Sequence, residues 1–132
     1  MHVRRETVAG YTMGQFIADV KDVQAAHSDP KEILQRVAPL AKKVADAKTW
    51  LNDSHYRVEQ SQGIGITIIH EEPEDLLVET VCWSPGGGVL PHDHKTWGCV
   101  VGMAGAEKNV TWLRKDDGSK EGYADLENFH EM

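Results

Sequence analysis

Cysteine is scarce in this chain. Cys82 and Cys99 are the only two in 132 residues, and neither stands in a CxxC pair. A disulfide framework is thereby excluded. No run approaches the roughly 18 apolar residues of a membrane span, and the opening MHVRRETVAG lacks a signal-peptide core. Positive charge is also in short supply: 14 Lys and Arg face 21 Asp and Glu, for a formal net charge of −7. A surface for nucleic acid needs clustered cations and is not expected. Trp50, Trp83, Trp97 and Trp112 are too scattered for a base-stacking platform. There is no internal repeat and no low-complexity tract. What remains is the composition of a cytoplasmic single-domain globular protein, with no membrane and no nucleic-acid partner.

Glycine is nearly absent from the front of the chain, where only Gly10 and Gly14 precede Gly63. Residues 1–55 carry 8 basic and 7 acidic side chains, whereas residues 56–132 carry 6 and 14. The front half reads as helix. Thr12 can cap a segment in which Met13, Phe16, Ile17, Val20 and Val23 recur at helical spacing. Ser28-Asp29-Pro30 gives a second cap with proline at the first helical position, and Ile33, Leu34, Val37, Leu40, Ala41 and Val44 continue the apolar stripe. Pro39 is expected to kink or split that helix. Trp50 and Leu51 are expected to end the region, packed against the next segment of the chain.

From Tyr56 the pattern turns to short strands. Ile64, Ile66 and Ile68 alternate with small or polar residues, and Leu76 to Trp83 is rich in β-formers. Glu71 to Asp75 is an acidic turn between them. Trp97 to Met103 and Asn109 to Arg114 read as two further strands joined at Ala104-Gly105-Ala106, and Leu126 to Met132 as the start of another. Many short strands with glycine-rich turns predict a mainly β sandwich or small barrel over residues 56–132, preceded by a helical segment over residues 1–55.

Chemistry concentrates in PGGGVLPHDHKTWGCVVGMAGAE, residues 85–107. His92 and His94 are one residue apart, so on an extended strand both imidazoles point to one face. Two imidazoles converging from one strand are a ready pair of ligands for a first-row divalent metal. Asp93 then points the other way. Pro91 stiffens the approach, and Gly86 to Gly88 permit a tight turn before it. His70 ends the isoleucine-rich strand and is expected at a cap or on the surface. His2, His27 and His55 fall in the terminus, a helix end and a linker. Trp83 and Trp97 are expected in the core beside the metal strand, and Cys82 and Cys99 as buried apolar residues.

Gly86, His92, His94 and Gly105 fall at the positions of the motif G-x5-H-x-H-x3-E-x6-G, with Gly98 where the glutamate belongs. In this the chain resembles the cupin superfamily, and within it the cysteine dioxygenase-like thiol dioxygenases, which bind non-haem iron through three histidines without that glutamate. Trp83, Pro85-Gly86, Pro91 to His94, Trp97-Gly98 and Gly105 to Glu107 add to the likeness, which covers about residues 64–114. The resemblance implies a double-stranded β-helix (jelly-roll) barrel. It implies Fe(II), or another divalent metal, held by His92 and His94. It also implies a small thiol and dioxygen as substrates and a sulfinate as product.

Three departures accompany it. Ile66 falls where the family carries the arginine that binds a substrate carboxylate, with Arg57 one segment earlier; isoleucine has no guanidinium fork. Where mammalian members carry a cysteine cross-linked to tyrosine stands Gly98, with Cys99 on the opposite face, so no cross-link is expected. The second cupin motif, which supplies the third histidine, has no match. His130, the only histidine after the first motif, is the candidate third ligand, while its setting Asn128-Phe129-His130-Glu131 alternates like a strand and favours a plain strand histidine. The 77 residues from Tyr56 onward would be nearly exhausted by eight strands of about five or six residues with their turns. The barrel is accordingly expected to be incomplete, the sequence reading as the front of a longer protein, or to be finished by a homo-oligomer or by strands from another chain. Two other readings stay open: a cupin that binds metal or a small ligand without catalysis, and a cupin enzyme acting on a non-thiol substrate.

Overall fold

The computed structural model describes residues 10–90, 92, 94–117, 119–120 and 126–131, and for 111–114 and 126–131 the backbone alone. The chain divides into two compact units, Met1–Cys99 and Val100–Met132. In the first, α1 (Met13–Ala26) and α2 (Pro30–Ala47) are followed by a 3-10 turn (Asp53–Tyr56) and a hairpin of β1 (Ile64–Glu72) and β2 (Leu76–Trp83). In the second, β3 (Val110–Arg114) pairs antiparallel with β4 (Leu126–Glu131).

Both helices begin where their caps predict. Thr12 accepts a hydrogen bond from the Gln15 amide, and Asp29 accepts one from the Lys31 amide with Pro30 at the first position. α2 runs unbroken through Pro39, so the expected split does not occur. Pro39 sits on the exposed side, where water can take up the carbonyl its missing N–H leaves unbonded. The buried stripe of Ile33, Val37, Ala41, Val44 and Ala45 holds the helix together across it. Phe16 and Val20 of α1 complete this core with Tyr11 and with Leu76 from the hairpin. Tyr11 is 2% exposed; its hydroxyl donates to Asp19, and the Lys43 ammonium lies 4.4 Å from its ring centroid. Burial, and then that bond to Asp19, push the Tyr11 phenol above its ordinary value. At the end of α2 the Trp50 indole donates to the Val44 carbonyl and meets His55 edge to face, the packing expected of it.

The hairpin turn is tied to α1 by charge. Lys21 Nζ lies 2.7 Å from Glu72 Oε2 and 2.9 Å from Asp75 Oδ2, while Gln24 donates to the Asp75 carbonyl. His70 Nε2 lies 2.7 Å from the other Glu72 oxygen. Lys21, and then His70, hold the Glu72 carboxyl down at about 2. A carboxyl lowered in the folded state contributes stability above its unfolded value of 4.5 and loses it as pH falls towards 2. Acid unfolding of E72Q should therefore show a flatter loss of stability across that window than the native chain. The difference will be small, because the pair is solvent-screened.

The expected jelly-roll barrel is not formed. The described strands make two separate two-stranded antiparallel sheets, so the architecture is two helices with hairpins, a mixed α/β chain. Two observations explain the difference. Trp97 to Met103, expected as a strand, has no regular structure. Six of the residues between Ser84 and Asn109 are glycine, which strands disfavour because it costs backbone entropy and brings no side chain to pack. The hairpin also faces opposite to a barrel strand. Ile66, Ile68, Leu77 and Val81 are 41–55% exposed, while Thr67 and Thr80 lie on the more covered side. Among the described residues no helix is long and apolar enough to cross a membrane.

Candidate metal centre

His92 and His94 are brought together, although not by a strand. Both stand on an irregular, exposed segment after β2. The backbone before it folds back through a turn in which the Gly87 amide donates to the Ser84 carbonyl, with Gly86 at φ 79, a left-handed conformation that glycine adopts without strain. Lys95, immediately after the pair, is also left-handed at φ 58.

The two rings meet edge to face with centroids 4.9 Å apart, and their Nε2 atoms are 3.1 Å apart. His92 Nδ1 lies 2.8 Å from the Leu90 carbonyl oxygen. A carbonyl only accepts, so Nδ1 carries the proton, and the neutral ring presents a lone pair at Nε2. The His94 Nε2–H donates to that lone pair, and an ion held between the two nitrogens would require the His94 proton to stand on Nδ1 instead. The residues fit a divalent cation. With metal–nitrogen distances of about 2.0–2.1 Å, nitrogens separated by 3.1 Å subtend roughly 100° at a shared ion. That lies between cis-octahedral and tetrahedral ligand angles. The Leu90 carbonyl orients the His92 ring as the outer partners of metal-bound histidines do. Spacing alone does not reveal this orienter, because every residue carries a carbonyl.

The other expected site residues stand on other elements of the chain. His130 lies on β4 with its backbone opposite Thr111; its side chain is outside those described, as are Pro91 and Asp93. Ile66 is on the exposed hairpin face, and Arg57, also exposed, follows the 3-10 turn. His70 is half-buried rather than on the surface, and pairs with Glu72 on the more covered side of β1. Both cysteines are free; Cys82 is half-buried with its sulfur 3.5 Å from the Tyr56 carbonyl oxygen. Cys99 is exposed where a buried residue was expected, because the strand that would have enclosed it does not form. Partial desolvation still raises its thiol above the ordinary value, which disfavours the thiolate. Trp83 and Trp97 are half-buried rather than core. Among the described residues, no three His, Cys, Asp or Glu side chains cluster as a metal site. No protein-family model matches the chain, and no solved structure matches it.

Proposed function

We propose that His92 and His94 are ligands to a first-row divalent metal, Fe(II) in the first place, and that the chain is a metal-dependent oxidoreductase adding dioxygen to a small thiol. One observation carries the metal: two Nε2 atoms 3.1 Å apart, one of them presented by the Leu90 carbonyl. The reaction rests on the likeness of residues 83–107 to the thiol dioxygenases, and not on a barrel. A third protein group completes the ligand set, and His130 is this chain's own candidate.

His92 and His94 would hold the metal, which when bound would supply the Lewis-acid and redox chemistry that joins a thiol to dioxygen. The overall change is RSH plus O2 to RSO2H: both oxygen atoms go to sulfur, which loses the four electrons that dioxygen gains. The chain's own part is to hold the two imidazoles at a cis angle and to fix the proton of His92 at Nδ1. The likeness brings no arginine at the place where those enzymes bind a substrate carboxylate, since Ile66 stands there in the sequence, so thiols without a carboxylate are the substrates to test first. The two free cysteines accord with a reducing, cytoplasmic setting.

Iron-loaded chain should consume oxygen when given cysteamine, in a one-to-one ratio with sulfinate formed, and H92A should not. Iron binding without thiol-dependent uptake would leave a non-catalytic metal-binding protein. The exposure of both histidines favours that second reading, because oxygenation calls for a site that excludes water.

A further inference from the structure

The metal pair sits on a segment built to meet something. His92 and His94 are both exposed, and just ahead of them Leu90 is 84% and Val89 59% exposed. Large apolar side chains this open, beside a ligand pair, mark a contact surface more than a solvated loop. The segment is also locally neutral. Within the acidic part of the chain, residues 56–132 with 6 basic and 14 acidic side chains, residues 84–98 carry one acid, Asp93, and one base, Lys95, so two copies can approach here without strong like-charge repulsion.

The geometry of the pair points to the same occupant. Two imidazoles with Nε2 atoms 3.1 Å apart occupy one edge of a coordination sphere, and among the described residues no third His, Cys, Asp or Glu side chain joins them. A twofold axis through the metal brings a second, identical pair to the opposite side, since an isologous contact repeats each residue across the axis. Two cis pairs then make four imidazoles, which fill a tetrahedral ion such as Zn(II). Around an octahedral ion such as Fe(II) they leave two positions free. Leu90, whose carbonyl orients His92, would at the same time bury its side chain against the second copy.

We propose that the metal site is shared: a second copy of this chain docks on the segment around Val89, Leu90, His92 and His94, and the two chains hold one divalent cation between them. This rests on the metal-binding reading above and adds to it the partner and the stoichiometry.

Zn(II), a redox-inert probe, separates the two claims. The chain is titrated with Zn(II) while mass is followed by sedimentation and bound metal by elemental analysis. The expected result is a rise from 14.7 kDa to about twice that mass, saturating near half a metal ion per chain and reversed by chelator. H94A should stay monomeric with metal, and L90S should need several-fold more Zn(II) to dimerise while keeping the metal-free helical spectrum of the native chain. One metal per monomeric chain would overturn the shared site and leave the metal-binding reading standing, with an intrachain ligand such as His130. A doubled mass that survives both chelator and H94A would also overturn it. No bound metal at all would end both readings.

Discussion

Replacing His92 and His94 together by alanine is expected to reduce bound metal from a defined stoichiometry to background, with little change in folding stability. The loss of metal comes from the ligand set. The two Nε2 atoms lie 3.1 Å apart, within reach of one ion, and the double substitution removes both lone pairs. The unchanged stability comes from where they sit. Both side chains are exposed on an irregular segment, and the core of Phe16, Val20, Ile33, Val37 and Leu76 lies elsewhere. Surface changes away from caps and cores move stability by roughly 0.5 kcal/mol or less. Elemental analysis beside thermal unfolding checks both effects at once. Metal retained in the double variant would remove the pair as ligands, and a large fall in melting temperature would make their role structural. A Leu90 substitution should leave the ring's orientation in place, because its backbone carbonyl makes the bond to His92.

Gly65→Ala should be among the most destabilising single changes in the chain. A Cβ at residue 65 would overlap the Arg57 carbonyl oxygen outright, and would lie 2.7 Å from the Arg57 carbonyl carbon and 3.0 Å from the Val58 Cα. All three are backbone atoms, so no side-chain rotation relieves the overlap. The segment after the 3-10 turn must move away from β1. That movement strains the Glu59 amide bond to the Ile64 carbonyl, 2.9 Å long, and the bridge it forms. The cost is about 3 kcal/mol, at the upper end for overpacking, and for a unit of this size lowers the melting temperature by roughly 12 °C or more. Gly14→Ala is the matched control with the opposite sign. It lies inside α1 and an added Cβ meets nothing within 4 Å, so the change should stabilise by about 0.5–1 kcal/mol through reduced backbone entropy in the unfolded chain. Chemical denaturation of the two variants against the native chain measures both. Equal and small effects would show that the crossing of Arg57 over β1 does not hold in solution.

Helices were the most legible part of the sequence, because their signals are local. Thr12, and Asp29 before Pro30, bond amides within their own first turns, and the buried positions of α2 follow a single helical stripe. The hairpin was legible for the same reason: its two β-rich runs are separated by Pro73-Glu74-Asp75, and Glu74 takes the left-handed turn at φ 59. A lone glycine inside a strand pattern, as at Gly65, is itself a sign of close backbone approach. The expected barrel does not follow from the sequence, because a cupin motif specifies ligand spacing and not strand pairing. Pairing is a non-local property that glycine-rich residues 84–109 do not support.

By itself the sequence determined the two capped helices, the hairpin, the −7 charge and the one-residue spacing of His92 and His94, since each depends on composition or on neighbours within a few positions along the chain. Only the tertiary structure decided that Ile66 and Ile68 of β1 face outward, that Arg57 crosses Gly65, and that the strands form two separate hairpins. Each of these depends on which distant segments meet. The convergence of the imidazoles also had to come from the folded chain. An irregular turn and the Leu90 carbonyl produce it, where the spacing alone implied a strand.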